Sequence, residues 1–148
     1  MNRETTESIN RQNAYEAVLT FLKEVRKVGK TSSKDWDKFR SRLHTYSLRP
    51  ETLKAIDIWT MENLEHHKPE LIRTRVLHEF EEQFIPAKVH GEFLEALRFG
   101  MVSQIQGEQI IDELLEIDPQ GVLPETMMHS LSKTWNRNIQ NYTFMKVN

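Results

Sequence analysis

Residues 91–118 read GEFLEALRFGMVSQIQGEQIIDELLEID, and this stretch decides the fold class. Its apolar residues recur at the three- and four-residue spacing of an amphipathic helix, Gly100 stops the pattern, and Ile110 resumes it. The stretch therefore predicts two helices joined by a short turn. Such helices pack on each other and leave apolar surface for the rest of the chain to cover. We expect this pair to be the architectural centre of the protein.

The sequence before residue 91 shows the same helical spacing of apolar residues. Residues that favour the start or the end of a helix separate its apolar runs. A first helix is expected to begin around Ser8 and to end at Gly29, where glycine permits a helix stop. A second is expected to begin at the hydroxyl residues 31–33, which can cap a helix, and to end near Tyr46. A third begins at Pro50, since proline is tolerated in the first helical turn.

The later sequence leaves two points open. Residues 71–77 fit either a helix that begins at Pro69 or a short extended piece, because the spacing of a helix and the alternation of a strand both occur there. Pro86 is expected to open the first helix of the central pair, and Pro124 opens a last helix that carries Trp135. The tail from Asn136 either frays or docks on the core.

Composition supports one all-α domain spanning residues 1–148, a compact bundle of about six or seven helices with segments 1–8 and 139–148 open to fraying. Five glycines and few β-branched runs leave little room for a sheet. The chain has no cysteine and no apolar run long enough for a signal peptide or a membrane span. We therefore expect a cytoplasmic protein with no membrane association, and the sequence favours no oligomeric state.

No pattern indicates catalysis, a cofactor or a metal. His78 and Glu79 open like a zinc-binding HExxH helix, but Glu82 stands where the second histidine is required. A nucleophilic cysteine, a GxSxG elbow and a glycine-rich phosphate loop are all absent. We expect a non-enzymatic protein with no catalytic residues, no cofactor and no metal site.

Charge is distributed unevenly along the chain. Residues 23–54 contain ten Lys and Arg against four Asp and Glu, whereas residues 55–125 contain five against fifteen. A basic surface of this kind can guide an acidic partner. We expect a protein partner and hence an interaction module or adaptor; the alternative is nucleic-acid binding through the basic 23–54 segment. The candidate partner-binding residues are Lys34, Lys38, Arg40, Arg42, Arg49 and Lys54.

The order of these patterns resembles the bacterial Smg family. The similarity rests on positions in three parts of the chain: Val18, Leu19, Phe21, Leu22 and Glu24; Asp37, Phe39, Leu43, Leu48, Leu53 and Trp59; and Arg73, Glu81, Glu82, Gly91, Phe93, Leu94, Leu97, Gly100, Val102, Glu108, Ile110, Ile111, Asp112, Leu114 and Asp118. The sequence departs from the family at Ser47, in a polar N-terminal extension and in the last helix. The resemblance implies a cytoplasmic helical protein with a helix-turn-helix-like N-terminal half and without known catalytic residues. The genes of this family often lie near DNA-processing genes.

Overall fold

The computed structural model describes residues 3–68, 84–117 and 120–147 of the chain. These residues form six helices and no strand, which confirms the predicted all-α bundle. The prediction for residues 71–77 lies outside the described residues. The helices are α1 Arg3–Val28, α2 Ser33–His44, α3 Pro50–His66, α4 Ala87–Arg98, α5 Gln104–Ile117 and α6 Pro124–Val147.

The helix at the centre of the bundle is α6, and the expectation that the 91–118 pair holds this place is wrong. Helix α6 contacts α1, α3, α4 and α5, whereas α4 and α5 pack on each other and on α6. Its side chains Met127, Leu131, Trp135 and Ile139 are all buried and follow one another every four residues, so they form one continuous face. Beyond Asn136 the chain continues as helix to Val147.

Aromatic contacts join α6 to the helices on either side. The ring of Trp135 meets Tyr15 of α1 edge-on, with 5.9 Å between ring centroids, and Trp59 of α3 edge-on at 5.7 Å. Edge-to-face geometry places the positive ring edge against the negative face, and such pairs contribute about 0.5–1.5 kcal/mol beyond burial. Trp135 therefore joins α1, α3 and α6 in one aromatic cluster.

Local signals set most helix ends as expected. The Ser32 hydroxyl accepts a hydrogen bond from the main-chain nitrogen of Asp35 and caps α2, and Pro50 is the first residue of α3. Gly29 ends α1 with a φ of 88°, a value that favours glycine. Two starts differ from expectation, since α1 begins at Arg3 and not around Ser8, and Pro86 is the cap of α4 instead of its first residue.

The turn between α4 and α5 is held by a capping box that the sequence analysis did not identify. The Ser103 hydroxyl accepts from the main-chain nitrogen of Gln106 at 3.1 Å, and the Gln106 side chain accepts from the main-chain nitrogen of Ser103 at 2.9 Å. The Gln106 amide also donates to Asn138 of α6 at 2.8 Å. The start of α5 is thereby tied to the central helix.

Candidate partner-binding groove

The predicted basic residues are spread over two helices and the loop between them. On α2, Lys34, Lys38 and Arg42 are exposed and follow at four-residue spacing, so they share one side of the helix. Lys54 is exposed on α3. Arg49 precedes α3, and its guanidinium lies 4.0 Å from the carboxylate of Glu7. The structure therefore brings three of the six residues into one row.

Arg40 differs from the row on α2 because its guanidinium is hydrogen-bonded to a carboxylate of α3. It donates two hydrogen bonds of 2.9 Å to the carboxylate of Asp57 and lies 5.1 Å from the ring centroid of Trp36. The hydrogen bonds to Asp57 raise the pKa of Arg40 above its ordinary value. Arg40 thus joins α2 to α3, and its charge is already balanced by a neighbour.

A groove of about 460 Å³ runs between the second half of α1 and the outer side of α2. Its floor is apolar, and charged side chains stand along its rim, four of them basic and two acidic. Lys38 and Arg42 of the predicted set belong to this rim. The floor residues are Ala17, Phe21, Val25, Val28 and Phe39, and the charged residues are Glu24, Lys27, Lys30, Asp35, Lys38 and Arg42.

Stacked aromatic rings support the floor of the groove. Phe21 of α1 and Phe39 of α2 stack with 4.3 Å between ring centroids and 23° between ring planes. Trp36 packs against both rings, at 5.4 Å from Phe21 and 5.7 Å from Phe39. Because both phenylalanines are buried in the hydrophobic core, the floor is built from packed side chains and is preformed.

The sequence analysis missed the residues that complete the groove. The spacing of Val28 fits the apolar stripe of α1, yet the residue is 69% exposed. In the sequence, Lys27 and Lys30 are ordinary cations at the end of a helix, where positive charge is favourable. The sequence does place these three residues beside Gly29, at the end of a helix. An apolar side chain at such an end has no following turn to cover it.

The described part of the chain was also compared with the pattern of a metal site, beginning with the histidines at the end of α3. His66 lies 3.7 Å from the neighbouring Glu65, and both side chains are exposed. No group of three or more His, Asp or Glu side chains in these ranges is arranged to hold a metal ion. None of the helices within 3–68, 84–117 and 120–147 combines the length and apolarity needed to cross a membrane.

Comparison of the chain with protein-family models, with curated proteins and with solved structures finds no match. The resemblance to the Smg family therefore stays a prediction from the sequence. The groove between α1 and α2 is the feature from which a function can be argued.

Proposed function

We propose that this protein is a non-enzymatic interaction module that binds an acidic, amphipathic segment of a partner protein in the groove between α1 and α2. The observation that carries the proposal is the combination of an apolar floor with a predominantly basic rim. An amphipathic helix docks by placing apolar side chains on such a floor, at positions one helical turn apart. Its acidic side chains then meet the cations of the rim.

Val28 is the residue on which the affinity of this groove should depend most. A valine side chain that is 69% exposed gains stability when a partner covers it, at about 25 cal/mol for each Å² of apolar surface removed from water. The neighbouring aromatic floor is already packed, so little conformational entropy is lost when the partner docks. Apolar burial would supply affinity, and a single charge placed at residue 28 should remove it.

The rim determines which partner fits. Lys27, Lys30, Lys38 and Arg42 outnumber Glu24 and Asp35, so the groove presents a net positive edge. Complementary charge accelerates encounter and disfavours basic partners, which would place like charges side by side. Acidic segments are therefore the expected class of ligand. We further propose that the interaction takes place in the cytoplasm, since a chain without cysteine suits a reducing compartment.

Nucleic-acid binding is the second candidate, and the observation that favours it is the exposed row of Lys34, Lys38 and Arg42 on α2. Three cations on one helix side could neutralise three phosphates. The affinity would then fall about 40-fold between about 50 and 200 mM salt, because each contact releases a counterion. Apolar docking on Val28 contributes no such dependence, so salt separates the two functions.

The proposal is tested by capture from a lysate of the source organism with matched variants. Val28→Asp places a charge on the floor, and the double variant Lys38→Glu with Arg42→Glu reverses part of the rim. Lys54→Glu is the control, since it reverses an exposed charge outside the groove. We expect one stoichiometric protein to be lost from both groove variants and retained by the control. Circular dichroism verifies that each variant keeps its helix content.

A charge-swap experiment then identifies the contact. The binding segment of the captured partner is synthesised, and its acidic residues are replaced by lysine. This peptide should bind the Lys38→Glu, Arg42→Glu variant more tightly than the unchanged protein. Capture that is indifferent to all groove variants would refute the proposal. Salt-sensitive binding of a labelled duplex that is lost with the rim variant but retained by Val28→Asp would favour nucleic acid instead.

A further inference from the structure

The outer side of α5 is acidic and carries an exposed isoleucine near each end of the helix. Helix α5 contains four acidic residues and no basic residue. Ile105 is 74% exposed, and Ile117, the last residue of the helix, is 70% exposed. Between them, exposed residues recur every three or four positions and so share one side of the helix. This side, the α5 face, consists of Ile105, Gln109, Asp112, Glu113, Glu116 and Ile117.

The opposite side of α5 packs into the bundle, which directs the α5 face to solvent. Ile110, Ile111 and Leu114 are buried, and α5 packs on α4 and α6. The two isoleucines of the α5 face stay largely exposed, so a protein that covers them removes apolar surface from water. The α5 face is therefore an apolar and acidic surface that a second protein can cover.

The carboxylates of the α5 face stand at the end of the helix where negative charge is unfavourable. Glu113 and Glu116 lie in the last two turns, near the negative end of the helix dipole, and the last turn has no basic residue to offset them. Neither forms an ion pair with a residue that the structure describes. Cations supplied by another molecule would stabilise this end of α5. The position of these carboxylates thus indicates a basic partner surface, independently of the exposed isoleucines.

The rim of the groove between α1 and α2 has the opposite charge. Its basic side chains outnumber its acidic ones, and Val28 on the floor has Lys27 before it and Lys30 two residues after it. On the α5 face, Ile117 directly follows Glu116. An exposed valine among cations thus matches an exposed isoleucine among carboxylates. Complementary charge of this kind fixes the register in which two surfaces meet.

The lengths of the two surfaces also agree. Ile105 and Ile117 are twelve residues apart, which is about 18 Å along a helix axis. The part of the groove floor that α1 supplies runs from Ala17 to Val28, eleven residues or about 16 Å. A helix of the length of α5 therefore covers the floor from end to end and places an isoleucine near each end of it.

We propose, on the basis of the function proposed for this groove, that α5 of a second copy of the chain binds between α1 and α2. The groove and the α5 face are different surfaces, because α2 packs on α1 and α3 whereas α5 packs on α4 and α6. Each copy then offers one groove and one α5 face, and the contact joins unlike surfaces of two copies. Self-association of this kind occupies the groove and competes with any other acidic partner.

Sedimentation velocity of the full chain over a wide range of concentration tests the proposal. We expect the average mass of the unchanged protein to rise with concentration to at least twice that of one chain. The groove variant, Lys38→Glu with Arg42→Glu, should associate about tenfold or more weakly, because like charges meet. The α5 variant, Glu113→Lys with Ile117→Lys, should show the same loss. Its lysines suit the end of a helix, and circular dichroism verifies that both variants keep their helix content.

A matched control changes the same pair of residue types outside both surfaces. Met61 and Glu65 are an exposed apolar residue and an exposed carboxylate one turn apart on α3, and neither lines the groove. Met61→Lys with Glu65→Lys makes the same change in charge as the α5 variant. This control should associate as the unchanged protein does. Equal loss of association in the control would show an effect of net charge alone and would overturn the proposal.

A mixture of the two variants identifies the contact. The α5 variant keeps an intact groove, and the groove variant keeps an intact α5 face. An equimolar mixture should therefore form a complex of one copy of each at concentrations where neither variant associates alone. A mixture that forms no complex, or self-association that persists in the groove variant, would overturn the proposal.

Failure of this proposal is distinguishable from failure of the function proposed for the groove. If the unchanged protein keeps the mass of one chain at every concentration while a lysate protein is lost from the groove variants, the second copy is excluded and the function stands. If the mixed complex forms while the lysate yields no protein that depends on the groove, the second copy is the occupant.

Discussion

Asn63 donates a hydrogen bond of 2.9 Å from its buried side-chain amide to the main-chain oxygen of Phe99. Asn63 lies in the last turn of α3 and Phe99 caps the C-terminus of α4, so one side chain joins the ends of two helices. The main-chain oxygen of Asn63 in turn accepts from Arg26 of α1 at 2.9 Å, and Arg26 also donates to the oxygen of His67. Main-chain oxygens at the C-terminal ends of α3 and α4, which lack a partner within their own helix, thereby accept hydrogen bonds from protein groups instead of water.

Removing this side chain should destabilise the bundle. Asn63→Ala leaves the oxygen of the buried Phe99 without its donor, and we expect the free energy of unfolding to fall by about 1–2 kcal/mol. Urea denaturation measures the change. Asn141→Ala is the matched control, since Asn141 is exposed in α6 and the substitution has the same effect on helix propensity. Equal stability of the two variants would show that the Asn63–Phe99 hydrogen bond contributes nothing.

Two glycines inside helices should respond oppositely to alanine. A Cβ at Gly91 of α4 would meet nothing within 4 Å, so Gly91→Ala should raise the free energy of unfolding by about 1 kcal/mol through helix propensity. A Cβ at Gly107 of α5 would lie 3.0 Å from Phe93 and from Leu97. Overpacking there costs about 1–3 kcal/mol, which exceeds the propensity gain at the upper end. Thermal melts in which Gly107→Ala gains as much as Gly91→Ala would contradict this close approach of α4 and α5.

Tyr15 should make the protein sensitive to alkali. Its side chain is fully buried, its hydroxyl has no hydrogen-bond partner among the described residues, and burial raises the pKa of Tyr15. The folded state then retains this proton at pH values where the unfolded chain, with a tyrosine pKa of about 10, has lost it. Stability from this group is complete below about pH 10 and declines as the pH rises above it.

Tyr15→Phe tests this assignment. The variant cannot ionise at residue 15, so its Tm should fall less steeply above about pH 10 than that of the unchanged protein. At pH 7 the variant should be as stable or about 1 kcal/mol more stable, because an unpaired buried hydroxyl is removed while the ring contact with Trp135 is kept. Parallel Tm curves across the alkaline range would exclude a buried, protonated Tyr15.

The ion pair of Arg40 with Asp57 should contribute to stability but not to partner binding. A double-mutant cycle with Arg40→Ala and Asp57→Ala should give a coupling energy of about 0.5–1 kcal/mol, modest because both side chains are partly exposed. High salt should reduce the coupling. Arg42→Ala combined with Asp57→Ala should give no coupling. A cycle with no coupling for Arg40 would leave its guanidinium available to a ligand.

Much of the fold follows from local pattern. The apolar period placed the described helices, and Ser32, Pro50 and Gly29 marked ends that depend only on neighbouring residues. The central role of α6 could not be derived in this way. Because α6 is surrounded by four helices, its polar residues Thr134 and Asn136 are buried as well. An apolar stripe in the sequence predicts only that one side of a helix is buried, so it cannot predict burial of the polar sides.

The candidate site was predictable in charge but not in geometry. The basic content of residues 23–54 is visible in the sequence, yet the neutralisation of Arg40 depends on Asp57, seventeen residues later on another helix. Val28 has the right spacing for the core of α1, but it is the last residue of that helix and is 69% exposed. Long-range packing therefore decides which residues of a correct pattern are available to a partner.

The position of α6 within the bundle also bears on how the chain folds during synthesis. All four helices that contact α6 precede it in the sequence, so the ribosome produces the central element after its partners. Until residues 124–139 have emerged, Tyr15 and Trp59 lack the ring of Trp135, and the faces of the earlier helices that contact α6 stay uncovered. Folding of this bundle is therefore expected only after α6 has been synthesised, and until then holdase chaperones have access to its exposed apolar faces.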